Sequence, residues 1–159
     1  MKYEIKIDLK GLNKTLEEIQ DAIEQGTEIG LKQVASKIKQ MEYDIIDSNI
    51  GGDGTYVRTG KLKSSITIMP ITWSNWLAEI SIVPKGYGDI PYFNELGTGI
   101  YADNGNGRKD GWVYPLGNGE FRFTMGLPPK YFVRDTREFY SDKASRFIED
   151  NIYRLLNFN

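Results

Sequence analysis

The stretch from Lys14 to Ser48, KTLEEIQDAIEQGTEIGLKQVASKIKQMEYDIIDS, decides how the rest of the chain is read. Leu16, Ile19, Ile23, Ile29, Val34, Ile38, Met41 and Ile45 recur with the periodicity of one helical face. Asn13 is a candidate N-cap, and Glu17 and Glu18 follow in the first turns, where carboxylates favour the positive end of a helix. We therefore expect one long helix over 14–48. Gly26 and Gly30 each disfavour a helix interior by about 1 kcal/mol relative to Ala. They leave three readings open: a bend, a break, or a place where another backbone packs closely. The apolar stripe reads as core or as packing against a neighbouring subunit, rather than as a membrane-binding face.

On the N-terminal side, residues 3–9 set Tyr3, Ile5, Ile7 and Leu9 against Glu4, Lys6 and Asp8, the period-two pattern of a half-buried strand ended by Gly11. On the C-terminal side, Gly51 to Thr55 reads as a loop. Ser65 to Trp73 and Trp76 to Pro84 read as an antiparallel hairpin turning at Ser74-Asn75, with Pro70 and Pro84 at strand edges or ends. The glycine-dense segment from Gly97 to Gly111 is expected to be exposed and flexible. Trp112 to Leu116 and Glu120 to Thr124 suggest a second hairpin across Gly117-Asn118-Gly119. Pro128-Pro129 then introduces an amphipathic run with Phe132, Phe139, Phe147, Ile148, Ile152, Leu155 and Leu156, read as a helix over 130–156. The expected fold is α+β over a single domain, 1–159: a mainly antiparallel sheet, made of the N-terminal strand plus two hairpins, packed with two long helices. A flexible loop is expected at about 99–111.

Composition narrows the chemistry. The 159 residues include no cysteine and no histidine, which removes thiolate nucleophiles, disulfides, Cys or His zinc sites and the usual general base near neutral pH. Carboxylates remain as possible Mg or Ca ligands or as an acid/base pair. The net charge of −2 and pI near 5.3 disfavour a generic duplex binder. The first residues alternate charged and apolar side chains instead of forming a signal peptide, and no apolar run approaches the length of a spanning helix, so we expect a chain that stays in the cytosol until assembled.

Three short segments stand out. In the first, Tyr56 to Ile66, Thr59 is placed to cap one helical turn feeding the strand near Ser65, and Gly60 to permit a tight approach. A phosphate-binding role for Arg58, Lys61 and Lys63 is the alternative, but the glycine spacing of a P-loop is missing. In the second, Pro91 to Gly99, Glu95 lacks a partner carboxylate at a readable spacing. It is read as an acceptor of hydrogen bonds from nearby backbone or from Thr98, not as a catalyst. In the third, Gly126 to Arg134, a rigid turn delivers the chain into the last helix, with Phe132 in the core and Arg134 at a surface or partner contact. A polyproline ligand is the alternative there. The loop Asp103 to Gly111 superficially suggests calcium, but Gly105 and Gly107 fall where an EF-hand needs oxygen side chains. Its polar residues Asp103, Asn104, Asn106, Arg108, Lys109 and Asp110 are instead read as a candidate interface.

Taken in order, the segments resemble the head-tail joining or neck family of tailed bacteriophages, also described as tail-component or minor capsid proteins. The elements that carry the likeness are a long helix; Arg58, Thr59, Gly60, Leu62 and Ser65; Tyr92, Glu95, Gly97 and Thr98; and Gly126, Pro128, Pro129, Phe132 and Arg134. This chain departs from the pattern in having Gly51 to Gly54 where a proline is usual, and in a longer insertion over 100–118. The resemblance implies a structural virion protein with no catalytic residues, no cofactor and no metal. It would form a homo-oligomeric ring at the head-tail junction, in contact with head-closure or connector proteins and with tail-terminator or tail-tube proteins. DNA would pass through its channel without sequence-specific binding, and no membrane would be involved.

A tail-completion or tail-terminator subunit is the alternative within this class. Outside it stand a small nucleic-acid-binding protein using Lys37, Lys39, Arg58, Lys61 and Lys63, and a metal-dependent hydrolase, which needs at least two convergent carboxylates. Replacing Gly60 with Val is predicted to disrupt folding or assembly, because a β-branched residue suits a glycine turn poorly. Unchanged yield and unchanged joining of heads to tails in that variant would show that the position is unconstrained.

Overall fold

The computed structural model describes residues 9–48, 60–86, 88–116 and 118–156. One continuous helix, α1 (Leu9–Ser48), spans 40 residues. It starts earlier than its sequence pattern suggests, so Leu9 and Gly11 belong to it and Gly11 does not terminate a strand. The remainder of the expected N-terminal strand, residues 3–8, lies outside the described residues, as does the Gly51 to Thr55 loop.

The three readings of Gly26 and Gly30 resolve to close approach. A Cβ at Gly26 would lie 2.8 Å from the Ile152 Cα, and one at Gly30 would lie 2.6 Å from the Ile148 Cα. Two glycines one turn apart thus meet two isoleucines one turn apart on α5 (Ala144–Leu155), and the two helices run antiparallel with their backbones almost in contact. Ala22, Gly26, Gly30, Val34, Glu42 and Ile46 form the buried row of α1, at four-residue spacing save for the partly exposed Ile38. Its large apolar residues Leu16, Ile19, Ile23 and Ile29 are exposed at 36–55%. In this half of α1 the stripe is therefore not core among the described residues, because the small residues occupy the face that α5 covers.

After Gly60, a single turn, α2 (Lys61–Ser65), feeds β1 (Ile66–Ile68). β1 pairs antiparallel with β4 (Ile82–Pro84), and β2 (Thr72–Ser74) pairs with β3 (Leu77–Glu79). Together they make one long hairpin interrupted at Pro70, which has no amide hydrogen to donate; Met69 N donates to Ser81 O at 2.8 Å across the interruption. The turn is Asn75-Trp76, one residue later than expected. Asn75 takes φ 54, a left-handed conformation that Asn tolerates better than most residues.

α3 (Ile90–Leu96) begins with a proline in its first turn and was not anticipated. A short 3₁₀ turn at Gly99–Tyr101 follows. β5 (Trp112–Pro115) and β6 (Phe121–Thr124) then form the second hairpin where it was expected.

The expected C-terminal helix is two helices, α4 (Phe132–Tyr140) and α5. Ser141 Oγ donates to Glu138 O at 3.0 Å, a side-chain bond that competes with helix continuation, and the chain turns through Ser141-Asp142-Lys143. Pro128-Pro129 stand before α4, not in its first turn. The architecture is α+β, with two long helical segments packed together and every described strand pair antiparallel. Among the described residues no helix is long and apolar enough to cross a membrane.

The core lies at one end of α1. Ile46, Ile66 and Phe132 are buried together, with Tyr43, Ile45, Leu62 and Ile82 packed around them. A Gly-to-Ala change on a free helix face stabilises by about 1 kcal/mol. At Gly30 the added methyl meets backbone that cannot yield, and overpacking of that kind costs roughly 1–3 kcal/mol. Gly30→Ala is therefore expected to lower the urea midpoint, and Gly30→Leu to detach α5. A midpoint raised by Gly30→Ala would show that α5 does not rest on this glycine.

Candidate assembly site

The motif segments are carried by α2, by α3 with the turn after it, and by the segment entering α4. Arg58 and Thr59 lie outside the described residues. Gly60 sits at φ 70, a left-handed backbone conformation that glycine adopts without strain, and among the described residues nothing lies within 4 Å of where its Cβ would be. Ser64 N donates to Gly60 O at 2.9 Å, closing the turn. Leu62 packs on the core, and buried Ser65 donates from Oγ to Leu62 O at 2.7 Å while its carbonyl accepts from Lys85 N. Lys63 reaches back to Asp47 on α1 at 2.6 Å and lies over the Tyr43 ring.

The second and third segments are stitched together. Thr98 N donates to Leu127 O at 2.8 Å, and Leu127 N donates to Thr98 Oγ1 at 2.8 Å. Ile100 N reaches Met125 O, Lys130 N reaches Asn94 O, and Tyr131 N reaches Glu95 O. The strands of chain run so close that a Cβ on Gly126 would collide with Thr98 O, and one on Gly99 with Met125 O. Gly97, at φ 75, sits against Leu127 O and Pro129, so the second proline packs on the α3 turn.

Glu95 completes this joint. Its two carboxylate oxygens accept from Val133 N at 2.9 Å and Arg134 N at 3.0 Å, capping α4 from 38 residues upstream. The sequence reading of Glu95 as an acceptor for backbone donors holds. Those donors are the first free amides of α4, where a negative charge is favoured. Thr98 bonds Leu127 and not Glu95. Tyr131 precedes α4 at φ 50, and its hydroxyl donates to Asp103 Oδ1 at 2.5 Å; that bond holds the phenol above its ordinary pKa. Arg134 stacks on the Tyr131 ring at 3.4 Å and bonds Asp135 at 3.2 Å. Phe132 is 1% exposed, as expected of core, whereas Tyr92 on α3 is 56% exposed.

The loop after the 3₁₀ turn is exposed, as its composition suggests, yet folded on itself. Asn106 N donates to Asn104 Oδ1 at 2.9 Å, Lys109 Nζ donates to Gly105 O, and Arg108 approaches Asp110 at 3.8 Å. Asp103 N donates to Leu96 O, and Gly107 fits under Gly99 O where no side chain would. Short-range side-chain contacts and the main-chain contacts of Asp103 and Gly107 fold it, and composition discloses neither.

Glu42 escaped the sequence reading. It is 5% exposed, faces Glu95, and has its pKa raised to about 7, first by burial and then by the Glu95 charge, with Lys39 opposing. Its place one turn after Ile38 and one turn before Ile46 was a legible signal of a carboxylate on the core face. Among the described residues no group of three or more acidic side chains converges to hold a metal ion. Of the five cations of the nucleic-acid reading, Arg58 lies outside the described residues, Lys37 lies over Phe147, Lys39 over Tyr43, and Lys63 is paired with Asp47.

What the described residues leave outside is as informative as the joint. Six apolar side chains are buried, whereas twenty large apolar or aromatic ones are exposed. Compared with known proteins, the chain matches no family model, no curated protein and no solved structure.

Burial of Glu42 yields a pH dependence. Between pH 4.5, its ordinary value, and about 7 the folded chain keeps a proton that the unfolded chain has released. Raising the pH through this window therefore favours unfolding, and above it the contribution is constant. Allowing for partial screening by solvent, the effect is of order 1–3 kcal/mol. Glu42→Gln is expected to gain stability relative to wild type at pH 8 and little at pH 4. An equal effect of the substitution at both pH values, read from urea unfolding, would refute this assignment.

Proposed function

We propose that this chain is a structural virion protein of a tailed phage, a ring-forming neck subunit that joins the DNA-filled head to the tail around a channel for DNA. The observation that carries this reading is the distribution of apolar surface. A chain that buries six apolar side chains among its described residues and exposes twenty large ones is built to be covered by neighbours. The likeness to neck proteins rests on segments with fold-making roles: Glu95, Thr98, Gly126 and Pro129 fasten α3 to the start of α4, and none of them is left to act on a substrate. Glu95, the one carboxylate that invited a catalytic role, spends both oxygens on helix amides.

A tail-completion or tail-terminator subunit draws on the same surface and is the second reading. Both predict that the protein is present in purified virions of the phage that encodes it. Deletion is expected to leave filled heads and tails unjoined for a neck subunit. Joined particles with defective tails would favour the second reading. Virions that lack the protein and assemble normally without it would refute both.

A further inference from the structure

Three Asn-Gly steps occur in the chain, at Asn104-Gly105, Asn106-Gly107 and Asn118-Gly119, and all three asparagines are exposed. Such a step carries its own reactants. The glycine amide nitrogen is tethered within reach of the asparagine Cγ, and glycine opposes the required backbone rotation less than any other residue. Which step reacts is decided by three local conditions: whether the glycine nitrogen is free, whether its peptide can turn, and whether the asparagine side chain is curled over it.

At Asn104 the nitrogen is engaged. Gly105 N donates to Ala102 O at 2.9 Å, and that bond must break before the nitrogen can act, although the Asn104 side chain is curled forward onto Asn106 N. At Asn106 the peptide is clamped. A Cβ on Gly107 would collide with Gly99 O and lie 2.7 Å from the Ala102 Cβ, so the backbone has no room to turn.

At Asn118 all three conditions are met. Among the described residues Gly119 N has no hydrogen-bond partner, and nothing stands within 4 Å of where a Gly119 Cβ would be. Asn118 Oδ1 accepts from Glu120 N at 3.0 Å, and the ring that this bond closes contains both Cγ and Gly119 N. The same donor draws electron density from Cγ, as a backbone amide does at any carbonyl under attack. Asn118 Nδ2 donates to Glu120 Oε2 at 2.9 Å, which fixes the orientation of the side-chain amide.

We infer that Asn118 is a site of spontaneous covalent modification, at which the turn of the β5–β6 hairpin converts its own neutral amide to a carboxylate while Asn104 and Asn106 persist. Gly119 N loses its proton to solvent and attacks Asn118 Cγ. The new C–N bond forms as the Cγ–Nδ2 bond breaks, and that nitrogen leaves as ammonia, taking up a proton from water. Water then opens the five-membered imide at one carbonyl or the other. One opening gives aspartate; the other gives isoaspartate, in which the main chain runs through the former side chain and is one atom longer. The balance is one water in and one ammonia out. This inference stands independently of the neck reading.

Either product changes the turn. A carboxylate at position 118 stands beside Glu120, where the amide had donated to it, so an attraction becomes a repulsion. The added main-chain atom falls within the loop closed by the 2.9 Å bond from Leu116 N to Glu120 O. A two-stranded ribbon has little stability of its own to lose.

The test holds the full chain in mildly alkaline buffer, either folded or in guanidinium chloride, and maps its peptides by mass spectrometry at intervals. In the folded chain Asn118 is expected to convert first, at nearly its rate in denaturant. Asn104, whose glycine amide must first break a hydrogen bond, is expected to fall about tenfold or more below its own rate in denaturant, and Asn106 likewise. Asn118→Gln, whose side chain would have to close a six-membered ring, is expected to remove the early event and leave the other two sites as they were. In the aged chain the Leu116 amide is expected to exchange with deuterium faster than in fresh protein. Equal rates at the three sites in the folded chain, an earlier event at Asn104 or Asn106, or an Asn118 slowed by folding as much as the others would each overturn the inference. Unchanged exchange at Leu116 after conversion would overturn the expected loosening of the turn.

Discussion

The near-contact of α1 and α5 at Gly26 and Gly30 sets the shape of the rest. Because glycine lets the Ile148 and Ile152 backbone come within about one atomic diameter of α1, the helix buries its smallest residues and turns its largest apolar ones outward. A conventional amphipathic helix buries its large side chains and presents polar ones. Here the inversion is enforced sterically: a larger residue at either glycine would push α5 away and open the row from Ala22 to Val34. The exposed Leu16, Ile19 and Ile23, and hence the groove they share with Trp73 and Trp76, are the other side of that same contact.

The second fixed point is the joint between α3 and α4. It unites segments some thirty residues apart through main-chain bonds, with Glu95 supplying the cap that Tyr131, in its left-handed conformation, does not. Phe132 follows immediately and is driven into the cluster with Ile46 and Ile66, so the cap and the core fix the direction of α4 together. Glu42 beneath this joint is a buried carboxylate facing a second one, an unfavourable arrangement relieved when Glu42 keeps its proton.

Much of this was legible in the sequence, and the exceptions have physical reasons. The long helix, the single turn before Ser65, both hairpins, buried Phe132 and the acceptor role of Glu95 follow from periodicity, turn chemistry and hydrogen-bonding capacity. The break at Ser141 was hidden because the apolar spacing from Phe132 to Leu155 continues through it, and only the Ser and Asp in the gap signal competition with the helix. α3 was announced by Asp89-Ile90-Pro91 but is barely two turns long, too short for periodicity to register. The sequence left the apolar stripe of α1 open between core and packing against a neighbouring subunit, because periodicity identifies a face without saying which neighbour will cover it. The exposure of Leu16 and Ile23 depends on glycine–backbone contact with a helix more than a hundred residues away.

The bracket between Thr98–Ile100 and Met125–Leu127 has a consequence for how the chain can vary. Bonds between peptide groups take no notice of the side chains beside them, so Ile100, Met125 and Leu127 can drift in size and polarity while the bracket endures. Gly99 and Gly126 cannot, since any side chain there would strike a carbonyl of the opposite strand. Two sequences could thus share this joint and have little else in common along it than the hydroxyl of Thr98 and a pair of missing side chains.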